Sequence, residues 1–193
     1  MPGTLTLQTL DAQSTRDSIN DLVGVYARVY DVPPYAGDAF FSNQSFRDRL
    51  LGATEMPGFL CLTATAAGGE VVGLVHGVTL QPDWPWWVAL GEHRAPEHVA
   101  AVEAGRVSWL RELMVLPEHT NRGIGRRLHD AWRAEKSLPY TALTCIIGNE
   151  PAHGAYLRWG YEIVGEPIRH APESPLYDPM ILTAPPAPAA ATS

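Results

Sequence analysis

The residues with the clearest chemical potential lie in one continuous stretch. It reads Trp109-Leu-Arg-Glu-Leu-Met-Val115, then Leu-Pro-Glu-His-Thr-Asn-Arg122, then Gly123-Ile-Gly-Arg-Arg-Leu128. An apolar, β-prone run stops at Pro117, a short polar loop follows, and two glycines one residue apart open an amphipathic helix. Such a junction exposes unpaired backbone N–H groups at the positive end of a helix dipole. Glycines let the main chain approach a ligand closely, so the turn from Thr120 through Asn121, Arg122, Gly123, Ile124, Gly125 and Arg126 is a candidate phosphate or pyrophosphate cradle. A P-loop is excluded, because Gly125 is followed by Arg126-Arg127 rather than Lys-Ser/Thr. A dinucleotide fingerprint is excluded too, because its third small residue would fall on Leu128.

A second strand–helix unit follows. Thr141-Ala-Leu-Thr-Cys-Ile-Ile147 reads as a buried strand, and Gly148-Asn149-Glu150-Pro151-Ala152, His-Gly-Ala-Tyr156 and Leu-Arg-Trp-Gly160-Tyr161 come after it. The pair of units resembles the GNAT superfamily of acetyl-coenzyme A-dependent N-acetyltransferases. Their pyrophosphate loop reads Arg/Gln-x-x-Gly-x-Gly/Ala, and their next unit reads Asn-x-x-Ala, three residues, Tyr, three residues and Gly-Phe/Tyr. Asn149, Ala152, Tyr156, Gly160 and Tyr161 match the second pattern without a gap. In the first, the leading Arg/Gln position holds Thr120, whose hydroxyl can still join the turn. The resemblance covers residues 107–168 closely and the rest of the chain loosely.

That resemblance implies an α/β fold, a mixed sheet with a splayed centre flanked by helices, with acetyl-CoA as cofactor. The pantetheine arm would enter the splay, paired along the backbone of Leu113, Met114 and Val115 like an added strand. The Val115 N–H would polarise the acetyl carbonyl. Asn149 would hold the coenzyme, although it also suits the N-cap of the helix entered through Pro151. Tyr156 would be the general acid for the departing thiolate, or else a packing residue beside Leu157 and Trp159. Substrate choice would lie in residues 30–41, including Tyr35 and Phe40, and in 169–177, including His170.

Other candidates come from the residues themselves. Glu112 is an acid inside a mostly apolar strand, and its position gives it two readings. It could act as a general base reaching the amine through water, or form a salt bridge with Arg111 or Arg106 at a strand edge. His119, in the anion loop, is a lesser base. Cys145 is a poor nucleophile, since a thiol buried in an apolar strand has a raised pKa. Arg122, Arg126 and Arg127 cluster where cations oppose the helix dipole, which makes sense if phosphates arrive there.

These residues must be held by an ordinary globular chain. Its 193 residues, 46% apolar and 18% charged, fit one domain over 1–183 with a real core. No run is long enough to cross a membrane as a helix, and no signal peptide is apparent. Cys61 and Cys145 fall inside predicted strands and read as reduced thiols of a cytoplasmic protein, with no metal-ligand framework. A net charge of −7 opposes nucleic-acid binding and favours a small cationic amine as partner.

Hydrophobic spacing predicts a strand at 4–10, a helix at 17–30 ended by Pro33-Pro34, and a helix at 38–51. A hairpin follows at 58–65 and 71–80 around Gly68-Gly69, then strand 107–115, helix 125–136, strand 141–147 and helix 151–159. A last hairpin spans 161–165 and 177–182, and a disordered Ala/Pro tail occupies 184–193. Residues 81–105 form a long Trp-rich insert with one helix at 96–104, where a hairpin connection normally takes about 2–5 residues. Trp84, Trp86 and Trp87 could line the acceptor pocket, or cover a sheet edge or a homodimer contact. The leading expectation is acetyl transfer to a small primary amine within a ternary complex. The alternatives are a CoA-binding sensor with little turnover, an acetyltransferase of protein N-termini or lysines, and a structural protein using the tryptophans to bind a partner.

Overall fold

The computed structural model describes residues 5–32 and 35–183. The expectations for Thr4, for Pro33-Pro34 and for the 184–193 tail lie outside the described residues. The strands are β1 (Thr6–Leu10), β2 (Leu60–Thr65), β3 (Val71–Thr79), β4 (Val107–Val115), β5 (Tyr140–Ile146), β6 (Glu162–Ile163) and β7 (Tyr177–Thr183). The helices are α1 (Ala12–Asp17), α2 (Ile19–Tyr30), α3 (Asn43–Thr54), α4 (Pro85–Ala89), α5 (Pro96–Glu103), α6 (Ile124–Lys136) and α7 (Glu150–Arg158). The mixed sheet runs β1-β2-β3-β4-β5-β7-β6 and is flanked by helices. The β4–β5 ladder is parallel, from Val107↔Tyr140 to Trp109↔Ala142, while β4 continues to Val115 and β5 to Ile146.

The chain divides into two compact units. Unit one holds described residues 5–32, 35–78 and 111–136; unit two holds 79–110 and 137–183. In unit one, β1 and β2 pair antiparallel from Thr6↔Thr65 to Leu10↔Cys61, and β2 pairs antiparallel with β3. Helix α6 packs on this face through Ile124, Leu128 and Trp132, all buried at four-residue spacing. The Trp132 indole N–H donates to the Leu60 carbonyl at 3.0 Å. In unit two, β5 pairs antiparallel with β7 along its whole length, and β6 lies on the far side of β7.

Three sequence expectations are corrected. The helix expected from Asp17 to Tyr30 starts at Ile19, and a separate α1, divided from it at Ser18 (φ −93°, ψ 6°), precedes it. Helix α1 escapes the pattern because Ala-Gln-Ser-Thr-Arg-Asp buries only Thr15; the Asp11 carboxylate starts it by accepting from the Ser14 N–H at 2.8 Å. The helix expected from Asp38 starts instead after Ser42, whose hydroxyl caps Ser45, while Asp38 caps a separate 3₁₀ turn over Ala39–Phe41. The insert holds α4 and a 3₁₀ turn at Gly91–His93 in addition to the helix expected there.

Candidate active site

In unit one, β4 leads into the glycine turn. The Thr120 hydroxyl donates back to the Pro117 carbonyl at 2.8 Å, tying the loop to its own 3₁₀ turn. Asn121 (φ 59°) and Gly123 (φ 74°) take left-handed conformations that reverse the chain into α6. The Arg127 N–H donates to the Gly123 carbonyl at 3.0 Å, so Gly123 stands at the N-cap and lends no side chain to the first-turn donors. A Cβ on Gly123 would meet nothing within 4 Å, and one on Gly125 would touch Val115 Cγ2 at 3.7 Å. The turn is therefore open above its backbone. Arg122, Arg126 and Arg127 are exposed around it, with Arg126 paired to Asp130 at 2.6 Å. Open N–H groups, left-handed residues and exposed guanidiniums fit the pyrophosphate of a coenzyme.

Glu112 sits on β4 before this turn. It lies beyond Val107–Trp109, the segment of β4 paired with β5, and its ion-pair partner is Arg49 of α3 at 3.6 Å rather than Arg106. The Glu112 side chain is 19% exposed. Burial pushes its pKa above the ordinary carboxylate range, opposed by the charges of Arg49 and Arg111. Arg49 donates to the Phe40 carbonyl (3.0 Å) and Ser45 hydroxyl (2.9 Å), and its guanidinium lies 5.2 Å from the Phe40 ring centroid. Tyr35 and Phe40 each pack on Phe41, at 4.8 and 5.1 Å. Two of the expected substrate residues thus belong to one aromatic cluster with the ion pair of Glu112. Leu113 and Val115 are half-buried, Met114 is buried, and His119 is half-buried in its loop.

In unit two, Asn149 caps α7 by accepting from the Ala152 N–H at 3.4 Å, after Gly148 (φ 93°) turns the chain. Tyr156 is 8% exposed and meets Trp159 and Tyr161 edge-on, each at 5.5 Å; the Leu157 considered as its neighbour is exposed. One turn earlier on α7, His153 Nε2 lies 3.0 Å from Asp178 Oδ2. Cys145, paired in register with Asp178, has its thiol pushed up to about 12 by burial and by the acids nearby. Cys61, in unit one, is also pushed up to about 12 by burial.

The tryptophans of the insert divide. Trp86 and Trp87 are 2% and 3% exposed, and with Leu90, Ala142, Met180 and Ile181 they line a small apolar pocket within unit two. Both are covered by residues of their own unit. Trp84 is half-exposed and packs 4.9 Å from Trp109. Trp109 stacks at 6.3 Å on the exposed His170, whose Nε2 is 2.8 Å from the Thr144 hydroxyl. Tyr177 closes on His170 edge-to-face at 4.8 Å.

An acetyltransferase (GNAT) domain family matches residues 60–163, a span with residues in both units. The chain belongs to the GNAT acetyltransferase family. Its fold is shared by a protein of Pyrococcus horikoshii at TM-score 0.62 and 18% identity, covering 92% of this chain and 97% of that one. The PaiA N-acetyltransferase of Thermoplasma acidophilum, crystallised with coenzyme A, aligns at TM-score 0.57 and 13% identity over 93% of this chain and 99% of its own. A spermidine N-acetyltransferase chimera from Vibrio cholerae aligns at 0.57 and 13% over 93% and 95%. No curated protein matches by sequence. As a GNAT member the chain is an N-acetyltransferase that uses acetyl-CoA. Among the described residues, no helix is long and apolar enough to cross a membrane.

Sequence reasoning missed Arg49, Trp109, Thr144 and Asp178 as neighbours of the residues it considered. Only His153 carried a signal, since it stands three residues before Tyr156 on a helix already predicted.

Proposed function

We propose that this acetyltransferase acts on a small-molecule primary amine, cationic as its free ammonium. The observation that carries the reading is Glu112, a carboxylate inside an apolar strand, raised in pKa and held by Arg49 next to an aromatic cluster. An amine of pKa about 10 attacks only after losing a proton. A base with a raised pKa accepts that proton more readily than an ordinary carboxylate does. Acetyl-CoA supplies the acetyl thioester. The Thr120–Arg126 turn and Asn149 would hold the coenzyme, the Val115 N–H would be the donor for an acetyl oxygen, and Tyr156 would be the acid for the departing thiolate. Trp84 and His170 offer aromatic faces that suit an organic cation. The spermidine acetyltransferase of the same fold supports a cationic amine as acceptor. The two buried free thiols support a reducing, cytoplasmic setting.

The test is thiol release from acetyl-CoA across a panel of small amines, with a peptide N-terminus and a lysine peptide alongside. Small amines should be preferred; preference for a peptide would replace the reading with protein acetylation, and no turnover would leave a CoA-binding sensor. Glu112→Gln should remove most of the rate. Arg49→Met should move the acid limb of kcat/KM to higher pH, because the lost guanidinium charge had favoured the ionised carboxylate. A limb that stays in place would take Glu112 out of the base role.

A further inference from the structure

Helix α7 is held on its sheet by little apolar surface. Of its nine residues only Tyr156 is buried, and Leu157, next along, is exposed. Helix α6, in unit one, instead buries Ile124, Leu128 and Trp132 as a stripe. The two rings that meet Tyr156 belong to Trp159 and Tyr161, whose backbone N–H groups both donate to the Tyr156 carbonyl at 3.0 Å. These rings travel with the helix end. They fix the phenol relative to its own helix, and something else must fix that helix relative to the sheet.

A polar pair one turn earlier does so. His153 stands three residues before Tyr156, a spacing that puts both on one face of α7, and its Nε2 lies 3.0 Å from Asp178 Oδ2. A carboxylate can only accept, so Nε2 carries the proton and donates. Both side chains are largely covered, at 19% and 17% exposure, where a charge-assisted hydrogen bond is stronger than on an open surface. Asp178 is itself well fixed. It sits on β7 opposite Cys145 of β5, in a ladder that runs unbroken from Tyr140↔Thr183 to Ile146↔Tyr177.

We infer that His153 is a positioning residue for acetyl transfer: its hydrogen bond to Asp178 sets α7 against β7 and so holds the Tyr156 phenol in place for the departing thiolate. A slide of α7 along β7 carries Tyr156 with it, and a misplacement of about 1 Å at a reacting group costs on the order of 10²-fold in rate. The inference rests on the reading of Tyr156 as the acid.

The experiment is a double-mutant cycle on the full chain. It reads kcat for thiol release with the best amine of the panel, or with water as acceptor if no amine is taken. His153→Ala should lower kcat about tenfold, less than a full misplacement because the productive position is still visited. Acetyl-CoA affinity by calorimetry should stay within about twofold. Asp178→Ala should match it. His153→Gln, whose amide N–H still reaches Asp178, should recover most of the loss. If the alanine variants do not fold, His153→Asn, whose amide falls short of Asp178, takes their place. In Tyr156→Phe, adding His153→Ala should cost less than about twofold more, because no acid remains to be placed. The same loss in both backgrounds would mean that the pair serves stability alone, which overturns the inference and leaves Tyr156 as the acid. Wild-type kcat in His153→Ala overturns it as well. Wild-type kcat in Tyr156→Phe, or no thiol release with any acceptor, removes the acid reading and the inference with it.

Discussion

After β4 the chain enters α6 through a left-handed Asn121 and Gly123, with glycine at the N-cap and three exposed arginines nearby. After β5 it enters α7 through a left-handed Gly148, with Asn149 at the N-cap bonding the Ala152 N–H. Both junctions reverse a strand into a helix. The second provides an acceptor for its own helix donors, whereas the first puts no side chain at the N-cap and surrounds the donors with positive charge. A self-capped helix start is built for stability, and an open one is built for an anion. The catalytic expectation follows the same division: the coenzyme's charge belongs to the first junction, and the proton for its sulfur to Tyr156, on the helix that the second junction launches.

The largest effect expected from breaking this division is at Tyr156. Tyr156→Phe keeps the edge-on packing against Trp159 and Tyr161 and removes only the hydroxyl. Turnover should fall on the order of 10²-fold with coenzyme affinity nearly unchanged. Wild-type turnover under chemistry-limited conditions would reduce Tyr156 to a packing residue.

Next in size is Gly123→Val. The added Cβ meets nothing in the free protein, so the damage comes from forcing a β-branched residue to φ 74° and from blocking backbone approach to the phosphates. Coenzyme affinity should drop about tenfold or more by calorimetry. Gly125→Ala, whose Cβ makes an ordinary 3.7 Å contact, should cost far less. Equal losses at the two glycines would mean that the turn needs space rather than a left-handed residue.

Most of this architecture was legible because it is local. The β4 strand, the glycine turn and α6 follow one another, and their boundaries fell where polarity and glycines change. The same holds for Asn149 through Tyr156. What the sequence hid depends on contacts distant along the chain. Arg49 meets Glu112 only after α3 folds onto unit one, and Trp84 and His170 come together only through Trp109. Helix α1 was lost for another reason: a six-residue polar helix has almost no hydrophobic period to read. The sequence left the tryptophans as pocket lining, sheet cover or dimer contact, because only the fold of α4 shows that Trp86 and Trp87 are buried within unit two.

A smaller change sharpens the comparison from the second junction. Asn149→Ala should lower stability by about 1 kcal/mol, the usual cost of losing an N-cap, read by denaturant midpoint at constant slope. If Asn149 serves only the helix, coenzyme affinity should move much less than in Gly123→Val. A loss of affinity as large as that of the glycine variant would show the amide reaching the coenzyme, and the two junctions would then share the ligand.

The smallest effect tests the charge at the first junction, through Asp130. Its carboxylate receives Arg126 Nε at 2.6 Å and lies 2.9 Å from His129 Nδ1. Arg126 stands in the first turn of α6, where a cation opposes the helix dipole, and Asp130 four residues on offsets that cost. In Asp130→Asn this ion pair is lost and Arg126 loses the carboxylate charge beside it. Stability should fall by about 0.5 kcal/mol or less, as for an exposed pair at this spacing. Coenzyme affinity should move the other way, rising on the order of twofold at low salt, because the full charge of Arg126 now faces the incoming phosphates. Added salt should shrink both effects together. Arg126→Gln removes the cation itself and should weaken coenzyme binding without a matching loss of stability. If affinity falls in Asp130→Asn, Arg126 needs its partner to be positioned, and the positive charge at this helix start is a feature of the fold rather than of the site.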